Sequence, residues 1–269
     1  RTKKNNFFGQ TGYEIFLWIN GVFGTLLLGI AISTFISGAP YIIDENNFVV
    51  WQSSLRGIEA LFVWQNYLLA FSLIFLVRII AGMYFLNNIN YEELREKIRP
   101  MIMRNILLFL PPFLAFITWV LLKDGYAYDP ESLMVSIVPM KYLYNFLEMP
   151  HLLIMFILGI VLVLFAVYRA VFKAKNCCIF TVGVGTVLTV MSLLLNIGVN
   201  NTVYYPSVSD LQSSITIANS SGSHYTLMTM SYVSLMVPFV LAYIYVVWRA
   251  MDKVKITEEE MNDTSEHHY

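Results

Sequence analysis

The sequence predicts an all-α fold, a polytopic transmembrane helix bundle, and two observations carry this prediction. The first is composition: 57% of the residues are apolar, only 13% are charged, and the mean hydropathy is +0.62. In a soluble domain about a quarter of the residues are charged. The second is patterning, because six apolar windows are each long enough to cross a hydrocarbon core of about 30 Å, which takes about 20 helical residues. A lipid-facing backbone must satisfy its hydrogen bonds within the segment, so these windows are predicted to be helices and not barrel strands.

The six spans are predicted to form one transmembrane domain over residues 1–269, at about 13–37, 59–86, 102–122, 147–171, 178–199 and 225–248. Lys and Arg cluster on one side of them, in segments 1–4, 95–104, 169–175 and 249–255, whereas the other side holds Arg56, Lys123 and Lys141. The positive-inside rule therefore places both ends in the cytoplasm. The formal net charge of -1 gives no reason to expect nucleic acid as a partner.

The first span carries Gly21, Gly24 and Gly29, small residues that let another helix approach closely. The second span begins at Glu59 and holds Arg78 about two and a half turns before its end. A charge at that depth is costly unless it is paired or snorkels to the surface. Two interpretations of Arg78 stay open: contact with a quinone head or an anionic lipid, and plain structural pairing or snorkelling.

The third to fifth spans are marked by prolines, a histidine and two cysteines. The mixed charges of 92–99 predict a short cytoplasmic helix that ends at Pro100, and Pro111 and Pro112 predict a kink in the third span. Pro150 suits the first turn of the fourth span. His151 follows it and is expected at the interface rather than on a haem, because no second membrane histidine faces it. Cys177 and Cys178 are expected to be reduced thiols, since a disulfide between neighbours is strained.

A polar ribbon, residues 204–230, separates the last two spans and is predicted to cap them. Within it, oxygen-bearing side chains precede the last apolar run and are expected to accept hydrogen bonds from the free amides at its start. They are Asn219, Ser220, Ser221 and Ser223. No residue of the chain is predicted to be catalytic or to bind a metal.

The same ribbon carries a resemblance to a known family. Tyr204-Tyr205-Pro206-Ser207, Ala218-Asn219-Ser220-Ser221 and Leu241-Ala242-Tyr243 resemble the C-terminal signature of subunit II of the cytochrome bd-type quinol oxidases. Trp119 followed by Asp124-Gly125-Tyr126 is also similar, as are the order and length of the spans. The resemblance covers essentially the whole chain and is most specific over 204–258.

This resemblance implies a nine-helix subunit, two four-helix bundles with one peripheral helix, of which the six spans here would be the last. It implies a partner, the homologous subunit I, that carries haem b and haem d, while this chain ligates none. The complex would oxidise quinol and reduce oxygen to water in a bacterial cytoplasmic (inner) membrane, and subunit II would act as a scaffold and support proton delivery. A quinone bound in this subunit, membrane lipids and small single-span accessory subunits are further expected partners.

Two other functions are compatible with the residues alone. Kinked helices and an intramembrane Arg78 are typical of a secondary transporter, but no internal repeat is evident and intramembrane charge is sparse. A membrane adaptor without redox chemistry is the other. Co-purification with a haem-bearing partner separates the oxidase subunit from both.

Overall fold

The computed structural model describes residues 9–175, 178–251 and 255–257, and it confirms an all-α polytopic membrane bundle. Six helical stretches are long and apolar enough to cross a membrane. They are Thr11–Ser37, Asn66–Asn88, Glu92–Leu122, Pro150–Val171, Ile179–Gly198 and His224–Met251.

The described part contains nine α-helices and six short strands. The helices are α1 (Gly9–Ser37), α2 (Asn66–Asn88), α3 (Glu92–Leu122), α4 (Lys141–Glu148), α5 (Pro150–Val171), α6 (Ile179–Gly198), α7 (Ile217–Ser220), α8 (His224–Ser234) and α9 (Val237–Met251). The strands form three two-stranded sheets: β1 (Tyr41–Ile43) antiparallel to β2 (Val49–Trp51), β4 (Gly125–Tyr128) antiparallel to β5 (Val135–Val138), and β3 (Ile89–Asn90) parallel to β6 (Ile256–Thr257).

The helices α2, α3, α5 and α6 form a four-helix bundle, built from two helical hairpins, α2 with α3 and α5 with α6. Its core is apolar, and Ile79, Met83, Ile102, Ala166 and Val182 are fully buried in it. Small residues bring the hairpin helices close together, as the spacing of glycines in α6 allows. A Cβ on Gly185 would lie 2.8 Å from the carbonyl oxygen of Gly159 in α5.

The helix α1 lies outside this bundle and packs against α2. Their backbones meet where Gly29 faces Ala70, because a Cβ on Gly29 would lie 2.5 Å from the Ala70 Cα. Of the three glycines expected to permit close packing, only Gly29 is used in this way, since Gly21 and Gly24 have nothing within 4 Å of a built Cβ.

The sequence predicted that the charged segment before the third span is a separate short helix. In the structure this segment is instead the first part of α3. The helix α3 runs without a break through Pro100, so the prediction that Pro100 ends a short helix is wrong. The lost backbone bond would have involved the carbonyl of Glu96. Glu96 is exposed in a charged turn, so its carbonyl is open to solvent.

Two other spans begin later than the sequence predicted. Residues 58–62 form a separate 3₁₀-helix, and α2 begins only at Asn66, whose amide side chain donates to the Ala60 carbonyl. The fourth predicted span is two helices, α4 and α5, separated at Met149. A proline disfavours the helical conformation in the residue before it. Met149, which precedes Pro150, accordingly has φ -118° and ψ 72°, outside the helical region.

The long connections 38–65, 123–149 and 199–223 all lie at one end of the bundle, and we call them the polar cap. At its centre the Gln212 side-chain amide mimics a strand: it accepts from the Val135 amide and donates to the Val135 carbonyl, both at 3.0 Å. The Tyr41 hydroxyl donates to the Tyr205 carbonyl at 2.8 Å. The opposite end has only short connections, 89–91 and 172–178, beside the charged first turns of α3, and we call it the basic end.

Candidate functional site

The last span is the part of the described chain that packs least against the rest. None of the most apolar window of His224–Met251 is buried, compared with 33% of the corresponding windows of α3 and α5. Its mean hydropathy is 1.9. Phe239 is 69% exposed and Leu241 is 59% exposed. A span with no buried residue in its apolar window gains little packing energy from its own chain, so its surface is available to a partner in the membrane.

The last span begins with a capped helix end. Ser223 is the N-cap of α8, and its hydroxyl accepts from the Thr226 amide at 3.3 Å. Asn219 serves a different helix, α7, where it forms a capping box with Thr216. Ser220 and Ser221 donate their hydroxyls to the carbonyls of residues 216 and 217, and Ser220 accepts from the Tyr204 hydroxyl. Among the described residues, neither hydroxyl is bonded to an amide of the last span.

The last span is broken near its middle. Helix α8 ends at Ser234 and α9 begins at Val237, with Pro238 as its second residue. A proline in the first turn of a helix loses no backbone bond. Pro238 therefore lies at the start of the second of two consecutive helices and not inside a single bent one.

A cleft separates the last span from the bundle. It has a volume of about 740 Å³ and lies between α2, α6 and the Trp248 ring. Gly183 and Ala81 on its walls are small, and the walls are apolar almost throughout. The indole of Trp248 is 62% exposed, so α9 approaches the bundle here without packing into it.

A second, smaller cavity of about 200 Å³ lies inside the four-helix bundle. Its walls come from α2, α3, α5 and α6 and present no polar surface. The hydroxyls of Ser72, Thr186 and Thr189 stand along it, but each donates to a carbonyl of its own helix. Such a cavity holds hydrocarbon, and it offers nothing to bind a polar head group.

Arg78 does not line that cavity. Its side chain is exposed on the outer surface of α2, so the buried position that the sequence allowed is not the one found. Arg104, which the sequence grouped with the cytoplasmic cations of 95–104, is likewise exposed, on the outer surface of α3.

The structure also locates His151 and Cys178. His151 is exposed in the first turn of α5. The Cys178 thiol is buried and donates to the Lys175 carbonyl at 3.4 Å, whereas Cys177 lies outside the described residues. Within the described ranges, no group of three or more His, Cys, Asp or Glu side chains is arranged to hold a metal ion.

The polar cap is fastened to the bundle by a buried amide network. The Asn145 amide donates to the Asn196 carbonyl at 2.9 Å and to the Thr202 hydroxyl at 2.8 Å, and it accepts from Asn200 at 3.0 Å. The Asn145, Asn196 and Thr202 side chains are fully buried. Because α4 and the end of α6 are far apart in the chain, this network fixes one against the other. Sequence patterns give no sign of such pairing.

Lys123 fastens α1 to the same end. Its ammonium donates to the Ile36 carbonyl, the last turn of α1, and lies 5.5 Å from the Trp119 ring and 5.7 Å from the Tyr126 ring. A cation is favourable both at a helix C-terminus and over an aromatic face. Burial nonetheless lowers the pKa of Lys123 from 10.5 to about 8, against the opposing effect of Asp124.

Comparison with known protein families gives a match over most of the chain. A family model described as cytochrome bd terminal oxidase subunit II matches residues 1–251. No curated protein is similar enough to the chain to match it. The match extends from before α1 to the last residue of α9, so it includes all six spans and the polar cap.

Proposed function

The chain belongs to the family of cytochrome bd terminal oxidase subunit II, and on this premise we propose that it is the subunit of a quinol oxidase that ligates no haem and supports the haem-bearing one. Membership of this family makes it a multi-pass membrane component of a terminal oxidase, associated with other subunits of that complex. The proposal adds a bacterial inner membrane, quinol as reductant, and a homologous subunit I with haem b and haem d.

The unpacked last span is the observation that carries the proposal. A helix with mean hydropathy 1.9 and none of its most apolar window buried needs another membrane protein to gain packing energy. In an oxidase of several subunits, the haem-bearing subunit is the natural occupant of that surface. The short side chains of α9, such as Ala242, would allow close approach.

The positions of the histidines in the described chain agree with a subunit that holds no haem. Haem iron in a helix bundle takes axial ligands such as His or Met from facing helices. His151 and His224 are both exposed at the start of a helix, at the polar-cap end, and they do not face each other across the bundle. The haems are therefore assigned to the partner, which supplies the oxygen chemistry.

A quinone in this subunit would be held by its tail. The 200 Å³ cavity accepts part of an isoprenoid chain between α3 and α5. Arg78 lies outside this cavity, so a quinone head group contact by Arg78 is not part of the proposal. Support for proton delivery rests on the family alone, because the carboxylates within the described spans, Glu14, Glu92, Glu93 and Glu96, lie near the basic end.

A photo-crosslinking experiment tests the proposed interface. A benzophenone side chain at Leu241 in the last span is compared with one at Leu158 on the outer surface of α5, residues that are 59% and 47% exposed. We expect Leu241 to capture a haem-bearing polypeptide, recognised by its b-type and d-type absorption, and Leu158 to capture lipid. The same membranes should consume oxygen when quinol is added.

Two results would contradict the proposal. If the chain is purified gently without a haem-bearing companion and without quinol-dependent oxygen uptake, it is not the subunit of an active oxidase. If the oxidase is intact but only Leu158 crosslinks to the haem-bearing subunit, the last span is not the interface.

A further inference from the structure

The two exposed arginines of the bundle lie at nearly the same depth on the outer surfaces of the packed helices α2 and α3, and we call the surface between them the seam. The register follows from Gly82: a Cβ there would lie 2.9 Å from the Ile102 side chain and 3.3 Å from the Met101 methyl. Arg78 is one turn from Gly82 and Arg104 is three residues from Met101. Because α2 and α3 are antiparallel, both steps lead in the same direction, toward the polar cap. The two arginines are therefore at nearly the same depth, within about 3 Å at 1.5 Å per residue.

This depth is within the hydrocarbon region. Arg78 is ten residues from Asn88, the last residue of α2, which is about 15 Å along the helix and about half of a hydrocarbon core of roughly 30 Å. Neither Arg78 nor Arg104 forms an ion pair or a hydrogen bond with another residue of the described ranges. Two like charges at one depth on neighbouring helices repel in hydrocarbon, and an anion shared between them removes both that repulsion and the cost of a bare charge.

The surroundings of the two arginines favour a phospholipid as the source of this anion. Lys97 lies seven residues before Arg104, on the same face of α3, and its side chain is 70% exposed at the basic end, where it pairs with Glu93 at 2.6 Å. The cations thus continue from the membrane surface into the seam. Phe71 and Phe85 stand seven residues on either side of Arg78, and both are exposed on its face of α2, 45% and 44%. They provide an apolar surface for acyl chains beside the charge.

We propose that Arg78 and Arg104, whose long side chains can extend from this depth toward the basic end, form a binding site at the seam for the phosphate of an anionic phospholipid from the leaflet at that end. Basic pockets between membrane helices at the positively charged side bind such head groups. The proposal does not depend on the proposed oxidase function, since it concerns the lipid-facing surface of α2 and α3 and not the last span.

The test measures lipid retained by the assembled complex. The complex is reconstituted in phosphatidylcholine nanodiscs doped with phosphatidylglycerol, released gently, and analysed by native mass spectrometry. The wild-type chain should retain phosphatidylglycerol in preference to phosphatidylcholine. Replacing both arginines, Arg78→Gln with Arg104→Gln, should reduce that retention about thirtyfold, which is about fivefold for each cation that contacts the phosphate.

Control variants separate the site from general charge. Arg249→Gln removes an exposed arginine of α9 at the basic end and should leave retention unchanged. Conversion of Arg78 and Arg104 to Lys keeps the charge and should retain the lipid. The single variant Arg104→Gln, nearer the surface, provides the comparison if the double variant does not assemble.

Two outcomes would overturn the inference. Unchanged phosphatidylglycerol retention in the Arg104→Gln and double variants would show that the seam does not select an anionic lipid. Unchanged retention together with loss of another subunit would show instead that the arginines pair with a carboxylate of that subunit.

Discussion

Gly183 and Gly185 stand two residues apart in α6, and the same substitution is expected to have opposite effects at the two positions. A Cβ on Gly185 would lie 2.8 Å from the Gly159 carbonyl oxygen and 2.9 Å from the Val163 amide nitrogen. Both atoms belong to the backbone of α5, so they cannot rotate away and the helices must move apart. A Cβ on Gly183 would have nothing within 4 Å.

The free energy of unfolding should therefore separate the two variants. Overpacking costs about 1–3 kcal/mol. The gain in helix propensity from Gly to Ala, up to about 1 kcal/mol, is common to Gly183→Ala and Gly185→Ala. Their difference isolates the packing cost, and we expect Gly185→Ala to be less stable by about 1–3 kcal/mol, or roughly 2–12 °C in midpoint.

Thermal unfolding of the assembled complex in detergent, followed by intrinsic fluorescence, measures this difference. Gly183→Ala should unfold at or above the wild-type temperature. If Gly185→Ala is as stable as Gly183→Ala, the backbones of α5 and α6 are not in contact at this point, and the close packing described for the hairpin is incorrect.

Three further substitutions test the polar cap and the start of the last span. Asn145→Leu removes a buried amide whose partners are then unsatisfied, at about 1–3 kcal/mol for each, whereas the exposed Asn46→Leu should change the unfolding midpoint little. The pKa of Lys123 is lowered from 10.5 to about 8, so between these pH values the unfolded chain binds more protons than the folded one. The free energy of unfolding should therefore rise with pH across that window in the wild type and not in Lys123→Met. Equal pH dependence of the two melting temperatures would refute this. Ser223→Ala removes the N-cap of α8 and should cost about 1 kcal/mol, while Ser221→Ala should have a smaller effect on the same melting curve.

The existence of the spans could be predicted because hydropathy is a local property. The fifth span was predicted at 178–199 and is found at Ile179–Gly198. The start of the second span could not be placed in this way. Residues 58–62 are as apolar as a span, but they form a separate 3₁₀-helix, and the turn after them is fixed by the bond from Asn66 to Ala60 and by the Tyr67 hydroxyl on Leu61.

The candidate site could be predicted only in part, because it depends on which helices pack against each other. The last span has the same mean hydropathy as α6, 1.9, and nothing in its composition distinguishes a helix that is left unburied. The register of Gly82 against Ile102 is likewise a tertiary fact, and without it Arg78 and Arg104 are two isolated charges. The hydrogen bond from Tyr41 to Tyr205 joins residues 164 positions apart, and no local sequence pattern predicts it.

The polar cap also orders the events of biogenesis. Its central strip, Tyr205 to Gln212, follows the fifth span in the chain, yet it holds β1 and β5, which are synthesised much earlier. The earlier loops must therefore wait, with their amides still solvated, until the ribosome has delivered that strip. The cap therefore forms late in folding. Resistance of its loops to protease would identify chains in which the first five spans are already packed.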